Sequence, residues 1–122
     1  MNDDLVHFLP LSPAALHILL SLSGEDLHGY GIMQEVARQS QGKYKLGPGT
    51  LYDNLQKLIQ REWVEELGRR PADDDPRRRY YRLTAAGSGV LAAEIARLAE
   101  VVREARRRLQ ASKSSVAKPR RA

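Results

Sequence analysis

Apolar residues recur at helical spacing over residues 46–61, and this segment organises the rest of the chain. Their positions follow the pattern i, i+4, i+7 and i+8, which is typical of the buried face of an amphipathic helix: Leu51, Leu55, Leu58 and Ile59. Gly47 and Pro48 precede the pattern, and proline suits a first helical position because no amide hydrogen is needed there. The sequence therefore predicts an α-helix that begins near Pro48 and ends near Arg61.

The polar face of this helix carries side chains of the kind that pair with DNA bases. Asn and Gln hydrogen-bond to adenine, and Arg and Lys to guanine, so such a face is suited to a major groove. The candidates for DNA contact are Thr50, Tyr52, Asp53, Asn54, Lys57 and Arg61. An ordinary solvated helix face is the alternative, since most polar helix faces contact only water.

Two further amphipathic helices are predicted before this one. The first runs from the Ser12-Pro13 pair, a helix start, to Ser23-Gly24, a helix stop. The second begins at His28-Gly29-Tyr30-Gly31 and ends near residues 40–42. Within it, His28 and Tyr30 are interpreted as capping and packing residues, or Tyr30 as a hydroxyl that contacts a DNA phosphate. Lys43 and Lys45, which lead into the third helix, are also candidates for backbone contact.

Two strand-like segments follow, residues 63–67 and 80–84, and they flank a polar loop that contains two prolines. Three helices followed by such a β-hairpin are typical of a winged helix-turn-helix. The hairpin, or wing, carries five arginines suited to phosphate contact: Arg69, Arg70, Arg77, Arg78 and Arg79. The run Asp73-Asp74-Asp75 would be repelled by DNA, so a solvated, charge-balanced loop is the alternative. Trp63, at the start of the hairpin, is interpreted as a core residue.

The last predicted helix covers residues 85–111, with Thr84 as its cap. Its apolar residues are spaced by 4, 3, 4, 3 and 4, which is the seam of a coiled coil: Leu91, Ile95, Leu98, Val102, Ala105 and Leu109. A homodimer would bury this long, narrow seam, and a helix folded back on its own domain is the alternative. Residues 112–122 lack an apolar pattern and are predicted to form a disordered basic tail.

Composition and charge limit the classes of function that are expected for the chain. The net charge of +5 comes from the C-terminal end, because residues 103–122 hold eight Lys or Arg and one acid. The chain has no cysteine, and its three histidines lack metal-site spacing, so no metal or other cofactor is expected and an enzyme is disfavoured. The longest apolar run, residues 14–22, is too short to span a bilayer, and a cytoplasmic protein without a membrane partner is expected.

Three segments resemble the PadR family of bacterial transcriptional regulators: His28-Gly29-Tyr30-Gly31, Gly49-Thr50-Leu51-Tyr52 and residues 78–87. They occur in the family's order and spacing, and the resemblance covers roughly residues 11–110. It implies a winged-helix DNA-binding domain over residues 1–84, a dimerisation helix over 85–111, and repression at a palindromic operator. Many members have proline after the second motif tyrosine, where this chain has Asp53, so the base preference is not transferred.

The expected fold is therefore mainly α with a small β-hairpin, a winged helix-turn-helix followed by a coiled-coil dimerisation helix. The expected function is transcriptional regulation, as a homodimeric repressor. The expected partners are double-stranded DNA, a second copy of the chain and a small-molecule effector of unknown identity. Some family members bind aromatic drugs between tryptophans of their C-terminal helices, which have no counterpart here. The alternative is a winged-helix module that binds another protein and has no specific affinity for DNA.

Overall fold

The computed structural model describes residues 3–67, 75 and 78–115. Its elements in chain order are a 3-10 helix (Asp3–Phe8), α1 (Pro13–Leu22), β1 (Leu27–His28), α2 (Gly29–Gln39), α3 (Pro48–Gln60), β2 (Val64–Glu66), β3 (Tyr80–Leu83) and α4 (Ala85–Ser115). All four predicted helices and the predicted hairpin are present. Several predictions lie outside the described residues, namely those on Arg69, Arg70, Asp73, Asp74, Arg77 and residues 116–122.

The predicted two-stranded hairpin is part of a three-stranded antiparallel sheet with the order β1-β3-β2. The strand that sequence reasoning missed is β1, which pairs Leu27 with Tyr81 of β3. An ion pair beside this edge joins Arg82 to Asp26, with Nη2–Oδ2 at 3.0 Å and Nε–Oδ1 at 3.3 Å. A two-residue strand is too short to show alternation, so only its tertiary partner reveals it.

Side-chain caps begin three of the helices. Ser12 Oγ accepts a hydrogen bond from the Ala15 amide at 3.1 Å at the start of α1. His28 Nδ1 accepts from the Gly31 amide at 3.0 Å at the start of α2, and Thr84 Oγ1 accepts from the Gly87 amide at 3.0 Å at the start of α4. Each cap satisfies an amide that has no partner within its helix. The predicted capping roles of His28 and Thr84 are thus confirmed.

One hydrophobic core joins the apolar faces of α1, α2, α3 and the first turns of α4. Its fully buried side chains include Ile18, Leu19, Ile32, Val36, Leu51, Leu55 and Val90. Trp63 is also buried, as the sequence predicts, and Phe8 packs its ring edge-on against Trp63 with centroids 5.0 Å apart. This core fixes which face of α3 is left for solvent.

Leu91 corrects the predicted seam of α4. Its side chain is only 5% exposed and belongs to the core of its own domain, because α1 packs on the first part of α4. Leu91 therefore cannot contribute to an interface with a second copy. The helix also extends to Ser115, past the predicted end at residue 111. Among the described residues, no helix has both the length and the apolar character that a membrane span requires.

Candidate nucleic-acid interface

The polar face of α3 is exposed because the opposite, apolar face of the helix packs in the hydrophobic core. Leu51, Leu55 and Leu58 are almost fully buried. The other side of the helix consequently faces solvent and carries the predicted contact residues Thr50, Tyr52, Asp53, Lys57 and, just after the helix, Arg61, with Asn54 half-buried among them. Most of the predicted contact residues therefore share one accessible surface, whereas Tyr52 and Asn54 lie on its two flanks and line separate cavities.

Two of these side chains have partners on α3 itself. Lys57 Nζ lies 3.6 Å from Asp53 Oδ2, in an exposed pair one turn apart. Asn54 Nδ2 donates a hydrogen bond to the Thr50 carbonyl at 2.9 Å. Exposed pairs of this kind contribute roughly 0–1 kcal/mol, so exchanging them for base or phosphate contacts costs little. Asp53 also reduces the net positive charge of this face.

Beside α3, a cavity of about 360 Å³ lies between the start of α2 and the base of the wing. It brings together residues that sequence reasoning placed in three separate motifs: Tyr30, Tyr52, Arg78 and Arg79. His28, Gly29, Asp75 and Tyr81 complete its lining. The tyrosines offer hydroxyls and the arginines offer cations, which is the chemistry that contacts phosphate oxygens. We call this set of eight residues the tyrosine–arginine groove.

Tyr81 forms part of this groove and was not among the predicted site residues. It is almost fully buried on β3, and burial raises the pKa of its phenol, with a further rise from the nearby Glu66 carboxylate. The Tyr81 hydroxyl is therefore neutral at physiological pH and can act as a hydrogen-bond donor. The motif Tyr80-Tyr81 was visible in the sequence, but the strand alternation that turns Tyr81 inward depends on its pairing with β1 and β2.

The two described wing arginines are exposed at the edge of the groove. Arg79 Nε lies 3.5 Å from Glu66 Oε2 on the neighbouring strand, which holds the Arg79 side chain along the sheet. Asp75 lines the same groove, so part of the predicted acidic run lies beside the arginines. The predicted backbone contacts Lys43 and Lys45 are exposed on the loop between α2 and α3.

A second cluster lies at the other end of α3 and was not anticipated. The Arg61 guanidinium lies over two aromatic rings, 5.0 Å from the centroid of Phe8 and 5.2 Å from that of Trp63. Arg61 also lines a cavity of about 350 Å³, together with His7, Ser12, Asn54 and Lys57. No periodic pattern links the N-terminal segment with α3, so the contact between them depends on tertiary packing.

The outer part of α4 exposes a narrow apolar stripe. Ile95 (48% exposed), Val102 (45%) and Leu109 (66%) follow one another at intervals of seven residues. Ala105 is exposed along the same seam, Leu98 is partly buried, and Val101, which was not predicted, is exposed beside it. We call Ile95, Leu98, Val102, Ala105 and Leu109 the α4 stripe. Within the described ranges, no group of three or more His, Cys, Asp or Glu side chains is arranged to hold a metal ion.

Known proteins resemble the chain in sequence and in fold. The family model described as "Transcriptional regulator PadR-like family" matches residues 18–93. The transcriptional regulator Rv3488 of Mycobacterium tuberculosis is 34% identical over 89 residues, which cover 73% of this chain and 78% of that protein.

Two solved structures are similar in fold at low identity. A PadR family transcription regulator from Clostridium difficile superimposes with a TM-score of 0.69 at 20% identity, covering 80% of this chain and 99% of that one. Bordetella bronchiseptica BpsR superimposes with a TM-score of 0.60 at 15% identity, covering 85% of this chain and 67% of that one, and its DNA binding is described as regulated by 6-hydroxynicotinic acid.

Proposed function

The chain belongs to the PadR-like family of transcriptional regulators, and on that basis we propose that it is a homodimeric repressor of a palindromic operator. DNA binding and a winged-helix fold come with the family. The repressor role, the dimer, the operator symmetry and the contact residues are our proposal. The observation that carries it is the exposed polar face of α3 next to the tyrosine–arginine groove.

In this proposal, α3 is the recognition helix and enters the major groove. Asn54 and Lys57 give up their contacts within α3 and contact base edges instead. The residues that flank them are Thr50, Tyr52, Asp53 and Arg61. The tyrosine–arginine groove lies beside α3 and contacts the DNA backbone through Tyr30, Arg78 and Arg79. Arg77, Lys43 and Lys45 add further phosphate contacts. Base contacts set the sequence preference, whereas phosphate contacts set the position and the salt dependence.

The α4 stripe pairs two copies of the chain. Exposed apolar residues at seven-residue intervals are the pattern by which two helices pack as a coiled coil. Two-fold pairing would present two α3 helices to one duplex, at major grooves about 34 Å apart. A dimer of this kind would bind a promoter and block access to it. As a further part of the proposal, a small-molecule effector releases the DNA, by analogy with the regulated DNA binding described for BpsR.

Selection of binding sites from random DNA with the purified protein tests the proposal. We expect enrichment of sites with two inverted half-sites about one helical turn apart, bound by two copies of the chain. Affinity for an enriched site should fall steeply with salt, because phosphate contacts release counterions. A protein that is monomeric by light scattering and enriches no sequence would contradict the proposal and favour a module that binds another protein through the α4 stripe.

A further inference from the structure

The cluster around Arg61 brings the N-terminal segment to the end of α3, away from the tyrosine–arginine groove. The Phe8 ring packs edge-on against Trp63, at an interplanar angle of 88°, and the guanidinium of Arg61 lies over both rings. Trp63 is buried, so its ring is a fixed support, whereas Phe8 is 38% exposed and comes from the N-terminal 3-10 helix. An arginine on aromatic faces is restricted in its rotamers while its N–H groups remain free to bind a further partner.

The N-terminal segment that brings Phe8 to this place is itself anchored. Leu5 and Leu9 pack against the core. The Leu11 amide donates a hydrogen bond at 3.1 Å to Glu94 Oε2 on α4, and Glu94 is almost fully buried. The same hydrophobic core therefore positions both Phe8 and α3. The N-terminal segment is held in place beside the C-terminal end of α3.

The cavity beside Arg61 has the chemistry of an anion site. Its polar lining comes from His7, Ser12, Asn54, Lys57 and Arg61, of which Lys57 and Arg61 carry full positive charges. These two cations lie one turn apart on the edge of the exposed face of α3. A duplex lying against α3 presents a row of phosphates along each side of its major groove. The cavity is thus placed to take a backbone phosphate while Asn54 and Lys57 approach the bases.

We propose that Arg61 binds a DNA backbone phosphate at this cavity, and that Phe8 is a positioning residue that holds the Arg61 guanidinium ready for that contact. The inference rests on the proposed function, because it assigns a second backbone contact to the same DNA. It makes the N-terminal segment part of the DNA interface, at the opposite end of α3 from the tyrosine–arginine groove.

A double-mutant cycle between Phe8 and Arg61 tests the inference. The variants are Phe8→Leu, which removes the ring but keeps an apolar side chain, Arg61→Gln, and the two combined. Binding to a selected site and to a random-sequence duplex of equal length is measured by fluorescence anisotropy over a range of salt concentrations. Arg61→Gln should weaken binding to both duplexes alike and lower the salt slope by about one, the loss of a single phosphate contact.

Phe8→Leu should weaken binding by about two- to fivefold, the typical strength of an exposed cation–π contact. Phe8→Tyr, which keeps a ring, should bind as the wild type does. In the Arg61→Gln background, Phe8→Leu should have no further effect, since its role acts through the guanidinium. Arg103→Gln on α4 is the control for loss of one positive charge and should leave binding unchanged.

Three results separate failure of the inference from failure of the proposed function. If Phe8→Leu weakens DNA binding equally with and without Arg61, Phe8 acts only through the fold and the inference is overturned. If Arg61→Gln leaves the salt slope unchanged, no phosphate lies at the cavity and the inference is again overturned. A wild-type protein that binds neither duplex would overturn the proposed function, and the inference with it.

Discussion

Tyr52 and Gly29 are in direct contact, with the phenol of Tyr52 on α3 lying against the Cα of the first residue of α2. A Cβ atom at position 29 would lie 2.9 Å from Tyr52 Cζ and closer still to the hydroxyl oxygen. Two motif residues that are 23 positions apart in the sequence thus form one contact, which sets the distance between α2 and α3 at the tyrosine–arginine groove. Glycine is required at position 29 because a Cβ atom would not fit beside Tyr52. The φ of Gly29 is not positive, so the backbone conformation alone does not require glycine there.

We therefore expect Gly29→Ala to displace the Tyr52 ring or separate the two helices. Overpacking of a tight contact costs about 1–3 kcal/mol in the free energy of unfolding. Chemical denaturation followed by Trp63 fluorescence would measure this loss. The matched control is Gly49→Ala in the first turn of α3, where an added Cβ meets no atom within 4 Å. Gly49→Ala should be neutral or stabilising by up to about 1 kcal/mol, and equal effects of the two variants would contradict the role assigned to the contact.

Helical period was sufficient to predict most of the fold. The α3 pattern placed Leu51, Leu55 and Leu58 in the core, and the structure buries all three. The same reasoning was wrong at Leu91. The 4-3 spacing continues without a break from the part of α4 that α1 covers into the part that projects beyond α1, so the spacing does not mark where the core ends. Spacing along one helix does not tell which other element covers it, so the boundary between core and stripe is a tertiary property.

The candidate site was predicted in its parts but not in its arrangement. Tyr30, Tyr52 and the wing arginines were chosen from separate motifs, and their common groove follows from the strand pairing that sets the wing beside α2. Phe8 and Tyr81 were missed as site residues. Each owes its place to a contact between distant parts of the chain, Phe8 with Trp63 and Tyr81 with Leu27, which a single sequence does not encode in any local pattern.

A second prediction concerns Asp53, the acid on the exposed face of α3. Asp53→Asn removes the partner of Lys57 and a negative charge that would face DNA phosphates. We expect tighter binding to random-sequence duplex and a steeper salt dependence, because a negative charge that repels the phosphates is removed from the interface. Discrimination between a selected site and random DNA should fall, because the gain does not depend on sequence.

The control for Asp53→Asn is Glu100→Gln on α4, which makes the same change in net charge at an exposed ion pair with Arg103. This variant should leave both the affinity and the salt slope as in the wild type. If the two variants had the same effect, the change would reflect net charge alone, and the position of Asp53 on the interface would be wrong.

A third prediction concerns pH and the buried carboxylate of Glu94. Hydrogen bonds from Arg97 and from the Leu11 amide lower the pKa of Glu94 below its ordinary value, against the opposing effect of burial. A carboxylate with a lowered pKa in the folded state stabilises the fold above its unfolded pKa, and this stabilisation is lost as the pH falls through the folded pKa. The contribution of Glu94 should thus be complete at neutral pH and should decline below about pH 4.5.

Glu94→Gln tests this expectation by thermal unfolding at several pH values. The variant should be less stable than the wild type at pH 7, by about 1 kcal/mol for a weakened charged hydrogen bond, and the difference should shrink as the pH falls below 4.5. Glu104→Gln, on the exposed part of the same helix, should match the wild type at each pH, because exposed ion pairs contribute little. A difference at Glu94 that stays constant with pH would mean that shape and not charge matters there.

The last prediction concerns the α4 stripe and the dimer. Ile95→Glu together with Val102→Glu would place four carboxylates in the proposed seam of a dimer, and burial of unpaired charge next to like charge is strongly unfavourable. We expect a folded monomer by light scattering and a large loss of affinity for a palindromic site, whereas affinity for a single half-site should change little. Ala96→Glu, exposed on the same turn but outside the seam, should remain dimeric. A double variant that stayed dimeric would show that α4 does not join the two copies.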